Sequence, residues 1–400
     1  MKKIVITLLI GGLLVGGFIL LTRDSYVISY TDLVKLPEVI TEVVNPDSDI
    51  EKQKPLKNPP RYVKAVYATS WSAASTKKLA YFMNLFNTTE LNAIVIDIKD
   101  YTGLVSYLPD VPQVKEYDAY EVRISKINKL IKMLHDNNVY VIGRVAVFED
   151  TKLAMARPEL ALKDKRTGEI WRTNKDIAWV DPASREVWDY NIAIANDALN
   201  RGFDEVNFDY VRFPSDGSIS NIDYPFYTAS TTLKSVVIGK FFNYLATRLP
   251  RERISADVFG DVAHARIDIG VGQILEDTFD NFVGVYPMTY PSHYAKNFLG
   301  LAKPAEHPYE VMKYSVDHAL TRLAKYYEAS TSTPPFMTRV RPWIQDFDLG
   351  ADYDADKVRA QIQAIDDAVI LSTSTISASE LKGGWAIWSP SNNYTVEALR

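Results

Sequence analysis

The sequence predicts an α/β chain whose body is a (β/α)8 TIM barrel, preceded by an N-terminal transmembrane anchor and a polar linker. Three observations carry that expectation. Beyond residue 62, eight apolar strand-like runs alternate with segments of helical spacing. The runs are apolar at nearly every position, as parallel strands covered by helices are. No glycine-rich phosphate-binding motif follows any of them, which removes the main sign of an open nucleotide-binding sheet. The expected bounds are 1–22 for the anchor, 23–61 for the linker and 62–400 for the barrel.

At the N-terminus, residues 4–21 read IVITLLIGGLLVGGFILL without a charge. That length spans a hydrocarbon core of about 30 Å. Lys2 and Lys3 precede it, so the positive-inside rule leaves the short end in the cytoplasm and the barrel outside the membrane. The rival is a cleaved signal peptide and a secreted protein. The run is longer than the usual apolar region of such a peptide, and Leu20 to Asp24 contain no small-x-small cleavage pattern. The expected location is therefore the cell membrane, single-pass, with a membrane contact through this helix. From Thr22 to about Arg61, scattered charges and prolines read as a stalk with no core of its own.

The chain has 400 residues, 47% of them hydrophobic, enough for one large barrel core. A formal charge of -5 offers no bulk attraction to nucleic acid. Cysteine is absent, which excludes disulfides, zinc–thiolate sites and thiol nucleophiles. Five histidines are scattered without an H-E-x-x-H pattern, so no metal and no cofactor is expected. The oligomeric state is not legible.

The strands follow in order, and barrel enzymes work at the strands' C-terminal ends. YVKAVYAT (62–69) leads to Trp71, and NAIVIDI (92–98) carries Asp97, with Asp100 just beyond. VYVIGRVAVF (139–148) holds Arg144 and ends at Glu149–Asp150. DEVNFDYV (204–211) holds Asp209, with Arg212 after it, and RISADVF (253–259) holds Asp257. NFVGVYPM (281–288) supplies Tyr286, then Tyr290 and His293. TRVRPWIQDF (338–347) brings Trp343, Gln345 and Asp346, and GGWAIWS (383–389) brings Trp385 and Trp388. Between strands, Ile124, Ile127, Leu130, Ile131 and Leu134 form one helical stripe, and Val187, Ile194, Ala195 and Ala198 another. Asp181–Pro182 has the form of an N-cap with Pro at the first helical position. Few residues follow the eighth strand, so its helix is expected to be short or missing.

Carboxylates and aromatic rings thus meet at one expected mouth. Paired carboxylates suit glycoside hydrolysis, and Trp and Tyr faces suit sugar C–H surfaces. The expected roles are Asp209 as nucleophile or electrostatic stabiliser and Asp257 as general acid with a pKa raised by burial. Asp97 or Asp346 would assist. Trp71, Tyr290, Trp343 and Trp385 would form a sugar platform, and Asp100, Arg144, Arg212, Tyr286, His293 and Gln345 would contact substrate. Either Arg212 or Arg144 would keep Asp209 charged. Each residue also has a structural reading: Asp97 and Asp257 as turn or cap residues, Trp343 and Trp388 as core, Asp209–Arg212 as a strand-end ion pair. The alternative function is a non-catalytic barrel that binds glycan at the cell surface.

The segments KAVYATSWSA, NAIVIDIKDYTG, VIGRVAVFED, FDEVNFDYVRFPSDG, SADVFG, YPMTYPSHY, RPWIQDF and GGWAIWSPSNNYT, in order over roughly 62 to 395, resemble the bacterial family called "Putative glycosyl hydrolase domain". The resemblance implies a glycoside-hydrolase-like barrel on an envelope or secreted protein, acting on polysaccharide or oligosaccharide. The fourth strand is also similar to the chitinase-type strand D-G-x-D-x-D-x-E, but Val211 stands where that pattern has its catalytic Glu. An amylase-like layout, with the nucleophile on strand four and the acid on strand five, is matched by Asp209 and Asp257, although the fifth-strand residue there is normally Glu.

Overall fold

The computed structural model describes residues 48–331 and 336–400. The expected membrane helix at 1–22 and the linker up to residue 47 lie outside the described residues. Among those described, no helix is long and apolar enough to cross a membrane.

Eight parallel strands close into a barrel, as the alternation predicts. They are β1 (Val63–Ala68), β2 (Ala93–Lys99), β3 (Tyr140–Ala146), β4 (Glu205–Asp209), β5 (Ile254–Phe259), β6 (Gly284–Met288), β7 and β8 (Gly384–Trp388). β7 runs as Arg339–Val340 and resumes beyond Pro342 as Trp343–Gln345, because proline cannot donate to the ladder. Each strand pairs with its successor, and β8 returns to β1.

The helices that cover the barrel are α1 (Thr76–Thr88), α2 (Ile127–Asp136), α3 (Arg185–Arg201), α4 (Lys234–Arg248), α5 (Pro308–Ala329) and α6 (Ala355–Asp366). Local chemistry sets their ends. The Ser75 side chain caps α1 at Lys78 N, and Gly202 ends α3 with a left-handed φ of 108°. Asp181 is not the cap of α3, which begins at Arg185 after Ser184. Its buried carboxylate accepts instead from the backbone N–H of Ala183, Phe226 and Tyr227, pinning a loop. Between β5 and β6 there are only 3-10 turns, Gly260–Ala263 and Leu275–Thr278. Gly270 and Gly272 fall in this segment at φ 100° and 86°, where a helix cannot pass. After β8 only the turn Val396–Leu399 follows, the shortened end that the sequence predicts.

Strand alternation divides the core in two. Val63, Ala65, Ala93, Val95, Ile142 and Ala386 face into the barrel, while Val66, Ile94, Val141, Val206 and Ile387 pack under the helices. Low in the barrel, Arg341 Nη1 is 2.7 Å from Glu205 Oε2, with Tyr140 and Tyr286 hydroxyls donating to Glu205 at 3.1 and 3.2 Å. Residues 48–61 run against the barrel. Asp49 accepts from Asn128 N at 2.7 Å and Lys129 N at 3.1 Å, the first turn of α2. Leu56 N donates to Asp204 at 2.6 Å, and the Leu56 side chain packs on the inner core.

Candidate active site

At the C-terminal end of the barrel, Arg144 is the hub. Register sets Asp97 beside Arg144, Arg144 beside Asn207 and Ala146 beside Asp209, and the shared inward parity brings their side chains together. Arg144 Nη1 donates to Asp97 Oδ1 at 2.6 Å, Nη2 donates to Asp209 Oδ2, and Nε lies 3.7 Å from Asp257 Oδ2. Burial alone would lower the guanidinium pKa, but Asp97 and Asp209 raise it well above its ordinary value. Three carboxyls around one arginine leave an excess of negative charge that protons must relieve.

The carboxyls respond accordingly. Asp257, 1% exposed, is pushed well above the usual carboxylate range by burial and then by the charge of Asp209. Its Oδ1 accepts from Trp343 Nε1 at 2.8 Å and Asn207 Nδ2 at 3.0 Å. Asp97 is raised by burial, against the pull of Arg144, and accepts from the Tyr67 hydroxyl at 2.5 Å. Asp209 Oδ1 accepts from its neighbour's N–H, Tyr210 N, at 2.5 Å. That bond needs Tyr210 at φ 53°, a strained conformation for a bulky residue. The strain occurs where β4 ends and aims the carboxylate.

Arg212 does not pair with Asp209. Beyond the turn at Tyr210 it points the other way, donating to Phe213 O and Ser215 Oγ at 3.1 Å, with its guanidinium over the rings of Trp179 and Phe259 at 4.9 and 4.7 Å. The other residues singled out in the sequence divide into four groups. Tyr290 and His293 stand with the cluster: the Tyr290 ring lies tilted against Trp388 at 5.4 Å and edge-on to Phe347 at 5.8 Å, with His293 at 5.3 Å. Burial lowers the His293 pKa. Trp343 is a hydrogen-bond donor under the site rather than an open face, being 2% exposed. Trp71, 60% exposed, and Asp100 lie to one side, joined through Arg123, which sits over the Trp71 ring at 5.0 Å and donates to Asp100 at 2.5 Å.

Tyr286, Gln345, Asp346 and Trp385 are engaged elsewhere. Tyr286 is sealed in the Glu205–Arg341 layer below. Gln345 bonds Ser292 N and Phe347 O, and Asp346 accepts from Thr395 N and Oγ1 at 2.8 and 2.7 Å, so both fasten loops. Trp385 packs in the outer core, because β8 turns Ala386 inward and, two residues on, Trp388 toward the aromatic cluster. Trp388, Phe347, Tyr67, Asn207 and Glu149 are the participants that sequence reasoning did not select. Parity along VKAVYA and GWAIW carries a signal for Tyr67 and Trp388; Glu149 stands in plain view at the end of β3.

A family model described as "Putative glycosyl hydrolase domain" matches residues 65–394. No curated protein matches the chain. Among solved structures, a hypothetical protein from Ruminiclostridium thermocellum is 38% identical over 48% of this chain and 97% of that one, with a TM-score of 0.45. Alpha-L-fucosidase isoenzyme 2 from Paenibacillus thiaminolyticus is 12% identical over 84% of this chain, with a TM-score of 0.51. A Flavobacterium johnsoniae chitobiase is 10% identical over 85% of this chain, with a TM-score of 0.50. The matched region spans 48% of the length of each of these two enzymes, and the likeness is one of fold.

Proposed function

The chain belongs to the "Putative glycosyl hydrolase domain" family, and from that premise we propose that it is a glycoside hydrolase with Asp209 as its nucleophile. The observation that carries the reading is the gathering of Asp97, Asp209 and Asp257 around Arg144 at the barrel end where such folds do chemistry. Arg144 and the Tyr210 N–H each engage one oxygen of Asp209, fixing its direction and leaving lone pairs for an anomeric carbon. Asp97 and Tyr67 anchor Arg144 from the opposite side. Asp257, walled in by Trp343 and Asn207, holds its proton beside Asp209 and acts as a positioning residue; at 1% exposure it offers no approach to a leaving-group oxygen. The half-buried rings of Phe347 and Trp388, backed by the buried ring of Tyr290, offer apolar faces to a sugar.

The substrate class in this reading is an envelope or extracellular polysaccharide. Its support is the uncharged run at 4–21 behind Lys2 and Lys3, which would hold the barrel on the outer side of a membrane. The test is release of reducing ends from cell-wall and capsular glycans by the full chain and by Asp209→Asn. The variant is expected to lose at least about 100-fold in rate; undiminished hydrolysis removes Asp209 from the mechanism. The second reading, a glycan-binding barrel without catalysis, draws on the low exposure of the three aspartates, 1–6%. Binding on a glycan array with no reducing ends released would favour it.

A further inference from the structure

Glycoside hydrolysis needs a proton for the departing oxygen as well as a nucleophile, and Asp257 is sealed from it. Another carboxyl stands beside Asp209. The chain after β3 continues along β4, with Val147 N donating to Asp209 O at 2.9 Å and Phe148 N to Tyr210 O at 3.3 Å. The next residue is Glu149, whose backbone bridges to Trp179. Glu149 is 6% exposed, and its Oε2 is buried without a hydrogen-bond partner. The charges of Arg212, Asp216 and Asp209 and a hydrogen bond from the Tyr210 hydroxyl act on it.

A purely structural carboxylate at this place would close an ion pair with Arg212. Arg212 instead spends its bonds on Phe213 O and Ser215 Oγ and its faces on Trp179 and Phe259. An enclosed acid left open on one oxygen costs stability. Burial, only partly offset by Arg212, raises its pKa to about 7, the range in which a side chain both gives and takes a proton at neutral pH. The pattern matches a site kept for chemistry rather than for packing.

We infer that Glu149 is the acid/base residue of the proposed hydrolysis, protonating the departing glycosidic oxygen from the side of the mouth where β3 and β4 end. The inference rests on the reading of Asp209 as nucleophile. In the first step an Asp209 oxygen bonds to the anomeric carbon while the carbon–oxygen bond to the leaving group breaks. The electron pair of that bond goes to the departing oxygen, which takes the Glu149 proton and leaves as an alcohol. In the second step a water oxygen bonds to the anomeric carbon and passes a proton to Glu149, and the Asp209 ester opens to the carboxylate. Glycoside and water become a hemiacetal sugar and an alcohol, with both side chains restored.

The test uses the full chain with dinitrophenyl and methylumbelliferyl glycosides in gluco, galacto, fuco and N-acetylglucosamino configurations, both anomers. For the sugar that the wild type cleaves, Glu149→Gln is expected to lower kcat/KM on the methylumbelliferyl glycoside by about 100-fold or more. On the dinitrophenyl glycoside, whose leaving group needs no proton, the loss should stay within about tenfold. Azide should revive Glu149→Ala and yield a glycosyl azide. Equal losses on both leaving groups with no azide effect overturn the assignment while leaving Asp209 as nucleophile intact. A wild type that cleaves no glycoside ends the hydrolase reading and this inference with it. Thermal melting gives a readout independent of turnover: Glu149→Gln should match the wild type near pH 5 and melt higher near pH 8, where wild-type Glu149 has ionised without a closed partner. A variant less stable at both pH values assigns Glu149 to structure and overturns the proposal.

Discussion

Asp209 sits in a strand whose every residue is buried, and the partner that keeps it there is on the neighbouring strand. The segment FDEVNFDYVRFPS shows as much on inspection: period-two alternation sets Asn207 and Asp209 on the face opposite Val206 and Phe208. What it does not show is which arginine answers. Arg144 shares inward parity with Asp97 and Asn207, whereas Arg212 lies past the left-handed turn at Tyr210, a backbone event no residue type announces. Replacing Arg144 with Met leaves three carboxyls without their cation, and we expect a loss of about 3–5 kcal/mol near neutral pH. The deficit should shrink as pH falls, because Asp97 and Asp257, already raised, would take up protons in the folded state and so stabilise it. Denaturant unfolding of Arg144→Met and wild type near pH 5 and pH 8 checks this; a deficit independent of pH contradicts it. For Glu149 the sign is also definite. Its folded pKa, about 7, exceeds the ordinary 4.5, so the folded state binds the extra proton and wild-type stability from this group declines as pH rises through that window.

At the scale of elements, the strands were legible because burial on both faces leaves long apolar runs, and their order followed from the alternation with helices. Helix boundaries were less so. Asp181–Pro182 has the composition of a cap, yet three backbone N–H groups from two loops claim its carboxylate. The real cap of α2 comes from Asp49, 79 residues from Asn128 in sequence, inside a stretch whose prolines and charges read as stalk. Asp49→Ala should cost about 1 kcal/mol, measured by chemical denaturation; no change would mean that 48–61 does not hold this end of the barrel. The choice between Trp385 and Trp388 depended on the register of β8 against β1. Gly384 sets that register: its φ is 102°, and a Cβ there would lie 2.0 Å from Val63 O. Gly384→Ala is therefore expected to strain the β1–β8 seam and lower the melting temperature; a variant that melts with the wild type would contradict this.

Over the whole molecule, the barrel is polar at two levels. The lower one, Glu205–Arg341 with Tyr140 and Tyr286, is closed and pairs its two charges, with Glu205 fully buried and Arg341 nearly so, leaving only Arg341 Nε without a hydrogen-bond partner. Arg341→Leu should cost about 3–5 kcal/mol by stranding Glu205, and its active-site chemistry should be unaffected once folded. The upper level, around Arg144, keeps unbalanced carboxyls and a strained tyrosine, the features expected where stability is given up for reactivity. Composition and motif order led to the fold and to the barrel end where carboxylates gather; the division between the Glu205–Arg341 layer and the Arg144 layer needed the three-dimensional register. The central claim is that Asp209 attacks the anomeric carbon. Its most direct test is to incubate the full chain with fluorosugar fluorides matched to the sugar it cleaves, quench with acid, and map the labelled peptide by mass spectrometry. A single glycosyl adduct on Asp209 is the predicted result. An adduct on Asp97, Asp257 or Glu149, or inactivation-free turnover with no adduct at all, would contradict the account.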